Sequence, residues 1–399
     1  VRTIAVVTVG RSDFGILRPV LRSIARDPDL KLSLIVAGMH LDARWGRTID
    51  EIESEGFTVT HRLECAPEED APHGIACAIG RGIAGFSAVF EKDAPDILAL
   101  MGDRYEMFAA GVAATPFNIP MAHIHGGELT FGAFDDALRH SLTKLSHLHF
   151  TSTEESARRV IQLGEEPWRV VVSGAPGLDN LAEMKLPTFI ELQDEWGVKF
   201  DRFPLLVTFH PATREYRDTE YQITELLAVL DERPEPIVFT MPNADTNGTV
   251  IRRAILRFCA AHSRAVWIEN LGTRRYFSLM AHAAAMVGNS SSGIIEAASF
   301  GLPVVNIGTR QAGRLRGGNV IDVGYSREEI AAGISQATDP AFRAGLRGMK
   351  NPYGNGGAAG IIVNRLKSVL LNQQLICKRF YEINVAINTE EEQVACADA

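Results

Sequence analysis

Short apolar runs alternate with longer amphipathic stretches along most of the chain. Val, Ile and Leu fill the short runs without polar alternation, the pattern of parallel strands buried on both faces and joined by crossover helices. The runs predict strands at 3–9, 32–37, 97–101, 120–124, 148–151 and 169–172. The pattern then restarts, with strands at 204–209, 236–241, 264–268, 285–288 and 303–307 and helices such as 217–231 and 247–262 between them. A single sheet of about a dozen strands would be unusually wide, so the prediction is α/β with two Rossmann-like, doubly wound lobes. Residues 1–185 form the first lobe and 186–360 the second, with the changeover near 180–203. Residues 361–399 supply a final helix, read at 358–374 after the loop Gly354-Asn355-Gly356-Gly357, and a tail. From Lys378 that tail, acidic at NTEEEQ, is read either as disordered or as packing back across the lobes.

Open parallel sheets bind ligands beyond the carboxyl ends of their strands, so a two-lobe chain is expected to hold its ligand between the lobes. At 399 residues the chain is long enough to bury a large core without disulfides or metals. Lys and Arg number 40 against 49 Asp and Glu, a net charge of −9 without a basic tract. That excludes the electrostatic footprint of a nucleic-acid binder, and any anionic ligand must be met by local positive groups. Five scattered cysteines, Cys65, Cys77, Cys259, Cys377 and Cys396, make no C-x-x-C pair, which fits a reducing cytoplasm rather than a disulfide framework or zinc ribbon. The first apolar run, 3–9, is too short for a signal-peptide core. No apolar run approaches the ~20 residues of a membrane span, so a soluble, cytoplasmic protein is expected.

Candidate chemistry follows the predicted strands. VGRSDFG at 9–15 lacks a dinucleotide fingerprint but places Gly10, Arg11 and Asp13 in a strand-to-helix turn, where backbone N–H groups can meet phosphate or Asp13 can simply cap the helix. LALMGDRYEMFAAG at 98–111 ends a buried strand at Gly102 and presents Asp103 and Arg104; Asp103 is an acid, a base or a helix cap. HIHGGELTFGAFDDALRH at 123–140 crowds His125, Glu128, Asp135, Asp136, Arg139 and His140 around two glycines that allow close backbone approach to a ligand. His-x-His followed by acids invites a metal, yet no helix-borne HExxH or distant ligand set accompanies it. A titratable cluster is the better reading, with a capped helix as the alternative. In the second half, TFHP at 208–211 places His210 after a strand, and VFTMPNAD at 238–245 does the same for Asn243 and Asp245. The most specific signal is VGNSSSGIIEAASFGLPVVNIGTRQAGR at 287–314. There a serine run, Ser290 and Ser291 within it, opens a helix that carries Glu296. Hydroxyls and helix-terminal N–H groups suit a diphosphate, a nearby carboxylate suits ribose hydroxyls, and Arg310 and Arg314 can neutralise the same diphosphate.

These motifs, in this order and with FDDALRHSLTKLSHLHF at 134–150, resemble the hydrolysing UDP-N-acetylglucosamine 2-epimerases of sialic-acid and legionaminic-acid precursor biosynthesis, over about residues 3–370. The resemblance implies a glycosyltransferase-B-like fold and conversion of UDP-N-acetylglucosamine, or a 2,4-diacetamido-6-deoxy relative, to UDP and the free 2-epimer. It assigns UDP contacts to Arg11, Arg104, His210, Asn243, Ser290, Ser291, Glu296 and Arg310. The acid/base candidates are Asp103, His125, Asp135 and Asp136, with Arg139 beside them. It further implies a homo-oligomer, dimer or tetramer. The non-hydrolysing branch differs in two places, with glutamate where His125 stands and lysine where Ile16 stands. The C2 proton of such a sugar becomes acidic only as UDP departs from C1, so elimination to a 2-acetamidoglucal followed by hydration is the accessible route. That route needs leaving-group stabilisation and two proton-transfer groups. It calls for no cofactor and no metal.

Overall fold

The computed structural model describes residues 1–383 apart from 70, 243, 244 and 270. The acidic NTEEEQ stretch of the tail therefore lies outside the described residues, as does Asn243.

Seven strands build the first sheet: β1 (Arg2–Thr8), β2 (Leu30–Ala37), β3 (Val59–Leu63), β4 (Ile97–Met101), β5 (Met121–Ile124), β6 (Leu148–Thr151) and β7 (Val170–Val172). They pair in parallel in the order β3-β2-β1-β4-β5-β6-β7. Six strands build the second: β8 (Leu205–Thr208), β9 (Ile237–Thr240), β10 (Ala265–Ile268), β11 (Ala285–Gly288), β12 (Val304–Ile307) and β13 (Val320–Val323). Their order is β10-β9-β8-β11-β12-β13, again parallel. In both sheets the order reverses beside the first strand, which opens a crevice at the carboxyl ends there.

Side chains alternate between the faces of each strand, and in the first lobe each face has its own core. Ile4, Val6, Leu34 and Val36 pack with Phe14, Leu17 and Leu21 of the helix Arg11–Arg26. Val7, Ile35, Leu98 and Leu100 pack on the other face with Phe86, Phe90 and Met107. The chain crosses back from the second lobe, because Ile362 and Leu366 of the helix Ala358–Ser368 belong to the first of these two cores. Asp179 starts that helix by accepting from the Ala358 and Ala359 N–H groups at 3.1 and 2.7 Å. Beyond it, Lys378 is fixed in the first lobe by the Glu165 carboxylate at 2.8 Å and the Lys144 and Ser146 carbonyls at 2.6 Å.

Three expectations need correction. The edge strands β3 and β13 are absent from the pattern reading because they are only half-buried and so lack unbroken apolar runs. The final helix stops at Ser368; Asn372 then accepts from the Leu375 N–H and starts a separate turn, Gln373–Ile376. Finally, the helix Pro72–Lys92 is long and apolar enough by composition to cross a membrane. Its apolar runs are short, 74–80 and 82–86, and are separated by Arg81. Here one side of it packs on the first lobe, with Gly82 against Ala109.

Candidate active site

The carboxyl ends of both sheets line two adjoining compartments that share Ser12, Ile16, Ser291 and Arg310. The larger spans about 1060 Å³ and the smaller about 900 Å³, solvent-open space at their mouths included. Together they have room for a ligand larger than a nucleotide.

The helix Arg11–Arg26 enters the larger compartment. Asp13 serves as its cap, accepting from the Val9 and Gly10 N–H groups at 2.8 and 2.7 Å and from the Thr8 hydroxyl at 2.9 Å. Burial pushes its carboxyl up to about 6. Arg11 crosses to the second lobe and donates to the Met241 carbonyl at 2.9 Å and to the Glu269 carbonyl. A Cβ on Gly15 would lie 2.6 Å from the Thr273 hydroxyl, so the lobes approach closely here.

From the second lobe come Thr208 and His210 after β8, and Ser290, Ser291 and Glu296 after β11. Asn289 pins the backbone of His210 from both sides, accepting from its N–H at 2.7 Å and donating to its carbonyl at 2.8 Å. Burial, with Arg310 next in effect, pulls the His210 imidazole down to about 3. Burial thus favours the neutral ring. Ser290 caps the turn Ser291–Ile295 by accepting from the Ser292 N–H at 3.3 Å. Glu296, 5% exposed, is raised by burial to about 7 against the pull of His125 and Ser292.

Two arginines meet where the compartments join. Arg104 donates to Asp245 Oδ1 at 2.9 Å, and Arg310 Nη2 lies 3.7 Å from Asp245 Oδ2. Arg310 is held by the Asn289 carbonyl at 3.1 Å, while its buried Nε has no partner among the described residues. Asp245 thus bridges a first-lobe and a second-lobe guanidinium, the sort of position an anionic ligand would contest.

The smaller compartment gathers Asp103, His125, Glu128, Asp135, Arg139 and Arg314. Asp103 is no cap: its carboxylate pairs with the buried Arg139 guanidinium. Arg139 is further tied to the Glu128 carbonyl at 2.9 Å and the Thr130 hydroxyl at 3.1 Å. Asp135 faces the cavity, and burial, then the neighbouring Asp245, pushes its carboxyl up to about 6. Asp136 does not line the cavity. Successive helical positions point about 100° apart, and Asp136 turns instead to accept from the Thr130 N–H at 2.6 Å and to pair with Arg139 and His140.

Arg314 also departs from its expected place. It pairs with Glu128, a 3%-exposed carboxylate that needs a cation, and lines the smaller compartment, away from Ser290 and Glu296. The glycines after His125 serve packing rather than ligand approach. A Cβ on Gly126 would lie 2.9 Å from His123 Nδ1, and one on Gly127 would lie 2.2 Å from the Ser156 carbonyl oxygen. His123 itself is fully buried between the Gly102 carbonyl at 2.7 Å and the Thr143 hydroxyl at 3.1 Å. Glu128 and Asp245 lie in the motifs already read but were not among the expected site residues. The spacing of Glu128, three residues after His125, was the available signal. Among the described residues no group of three or more His, Cys, Asp or Glu is arranged to hold a metal ion.

Known proteins resemble this chain in sequence and in fold. A relative from Legionella pneumophila named UDP-N,N'-diacetylbacillosamine 2-epimerase (hydrolyzing) is 37% identical over 95% of this chain and 99% of its own. An Escherichia coli relative, polysialic acid biosynthesis protein P7, is 35% identical over 96% of this chain and 98% of its own. The fold is shared with a crystal structure of UDP-GlcNAc 2-epimerase from Neisseria meningitidis bound to UDP-GlcNAc, at TM-score 0.78 and 21% identity over 91% of this chain and 99% of that one. The model of the UDP-N-acetylglucosamine 2-epimerase family matches residues 22–367, and with these relatives it establishes that the chain belongs to that family.

Proposed function

We propose that the protein is a hydrolysing 2-epimerase that converts UDP-N-acetylglucosamine, or a 2,4-diacetamido-6-deoxy analogue, to UDP and the free 2-epimerised sugar. The observation that carries this reading is the pairing of a compartment rich in arginines and hydroxyls with an adjoining one that holds separate proton-transfer groups. The Legionella relative's name supports both the hydrolytic outcome and the diacetamido substrate. The Escherichia coli relative's name fits a product destined for a sialic-acid-type sugar.

In this reading the nucleotide occupies the larger compartment, with Glu296 on the ribose hydroxyls and Arg11, Ser290, Ser291, His210 and Arg310 around the diphosphate. Arg104 joins them once the diphosphate displaces Asp245. The sugar reaches into the smaller compartment. As the C1–O bond breaks, its electron pair leaves with UDP, and the arginines stabilise the growing charge. A base takes the C2 proton, and the C2–H electrons form the C1=C2 bond of the 2-acetamidoglucal. Water then adds at C1 while a second group returns a proton to C2 from the opposite face; the water's spare proton restores that second group, and the first base gives up the C2 proton to solvent. Asp103, His125 and Asp135 are the groups placed to exchange these protons. The enzyme is read as a cytoplasmic homo-oligomer.

Proton NMR of each UDP-sugar incubated with the protein in D₂O tests the proposal. Free 2-epimer with deuterium at C2, accumulating together with UDP, is the expected result. Epimer still joined to UDP would make the enzyme non-hydrolysing, and no turnover of either sugar would overturn the reading.

A further inference from the structure

His125 holds an unusual backbone conformation for a residue with a side chain. Its φ is +64°, in the left-handed region that disfavours a Cβ, and its N–H donates to the Phe150 carbonyl at 2.9 Å. Such strain persists only where the surroundings impose it, and here it turns the imidazole into the smaller compartment. Nδ1 lies 2.6 Å from Glu128 Oε1. Nε2 is buried and has no hydrogen-bond partner among the described residues.

Three side chains hold the Glu128 carboxylate. The Ser152 hydroxyl donates to the same Oε1 at 2.6 Å, and Arg314 reaches across from the second lobe to Oε2. Burial alone would raise this carboxyl, but Arg314, His125 and Ser152 together hold it at about 2. An ionised carboxylate only accepts hydrogen bonds. The proton in the 2.6 Å contact therefore belongs to Nδ1, and the neutral ring, the form a base requires, then keeps its lone pair on Nε2.

We propose that Glu128 is a positioning residue that fixes His125 as the Nδ1–H tautomer, so that Nε2 exchanges the proton at C2 of the sugar, and that Arg314 locks this dyad from the opposite lobe. It rests on the 2-epimerase reading. In the forward step Nε2 accepts the C2 proton as UDP leaves with the C1–O electrons, and the imidazolium stays paired with the Glu128 carboxylate. Replacing Glu128 with Gln inverts the tautomer: the amide oxygen turns to Arg314 and the amide N–H₂ donates to Nδ1, which places the proton on Nε2.

Wild-type turnover of the UDP-sugar is measured first, so that a failure of the 2-epimerase reading is separated from a failure of this proposal. Glu128→Gln is expected to lower kcat about 10²- to 10⁴-fold, the usual range for losing a proton-transfer group, with KM and UDP affinity within about threefold of wild type. In a His125→Gln background the same change is expected to cost less than about threefold more, since residues that act as one unit are not additive. Long-range nitrogen–proton NMR of ¹⁵N-histidine-labelled wild-type protein, with His125 assigned by its absence in His125→Gln, should show a protonated Nδ1 and a bare Nε2. That measurement stands even if Glu128→Gln does not fold. A proton on Nε2 in the wild type, kcat of Glu128→Gln within tenfold of wild type, or equal losses in both backgrounds would each overturn the proposal.

Discussion

Lowering the pH from 8 to 6 protonates Glu296, and the consequence for UDP binding follows from where this carboxyl sits. Burial holds it at about 7, well above the usual range for glutamate. Ribose hydroxyls that donate to it need the carboxylate, so binding must expel the proton wherever the free protein carries one. The direction is fixed by that linkage: affinity falls as pH drops below about 7 and levels off above it. If only the ionised form binds, at pH 6 about one molecule in eleven is competent, which weakens binding about elevenfold or by ~1.4 kcal/mol. At pH 8 the loss is only about a tenth. Titration calorimetry of UDP at pH 6 and pH 8, each in two buffers of different ionisation enthalpy, measures affinity and proton release together. The diphosphate also titrates near this range, so Glu296→Gln serves as the reference for the ligand's own ionisation. The wild type is expected to lose about tenfold more affinity between pH 8 and pH 6 than Glu296→Gln does. It should also release close to one proton more per UDP at pH 6. At pH 8 Glu296→Gln should bind UDP about 1–3 kcal/mol more weakly than the wild type. Identical pH dependence in the two proteins would remove Glu296 from the ribose site.

Asp103→Asn keeps an oxygen for the Arg139 guanidinium, so it should fold with a nearly unchanged melting temperature and bind UDP normally while turnover drops at least about a hundredfold. Near-normal turnover would leave Asp103 as a partner for Arg139 only and pass proton exchange to His125 and Asp135. Gly288 ends β11 at φ +135°, where an added Cβ would meet the Thr208 carbonyl oxygen at 2.0 Å. Gly288→Ala should therefore cost about 2–5 kcal/mol from backbone strain and overpacking, read as a lower urea midpoint for the second lobe. An unchanged midpoint would show that the turn before Ser290 relaxes freely.

Interior strands were legible because both faces are buried. LALM at 98–101 and AMV at 285–287 carry nothing polar, and their boundaries match the structure within a residue. β3, reading VTHRL, alternates half-buried with exposed side chains, and its place depends on pairing with β2 rather than on its own composition. The candidate site residues were placed by the same signal as the strands: they follow buried strand ends, as Asp103 follows β4 and His210 follows β8. What local sequence does not encode is which partner a side chain finds. Asp135 and Asp136 are neighbours in sequence, yet only one faces the cavity. Arg310 and Arg314 both follow β12, yet they part company because Glu128, nearly two hundred residues earlier in the chain, claims Arg314.

The return of the helix Ala358–Ser368 to the first lobe has a consequence for biosynthesis. All of β8–β13 lies between residues 205 and 323, so the whole second sheet leaves the ribosome before the segment that completes the first core. Until then Phe14, Leu17 and Leu21 lack Ile362 and Leu366 as packing partners, and the Ala358 and Ala359 amides have not reached Asp179. The lobe that begins the chain is thus the last to be finished. A nascent polypeptide stalled just short of residue 358 would carry a complete second sheet beside a first lobe with an open apolar seam, the kind of surface that recruits chaperones.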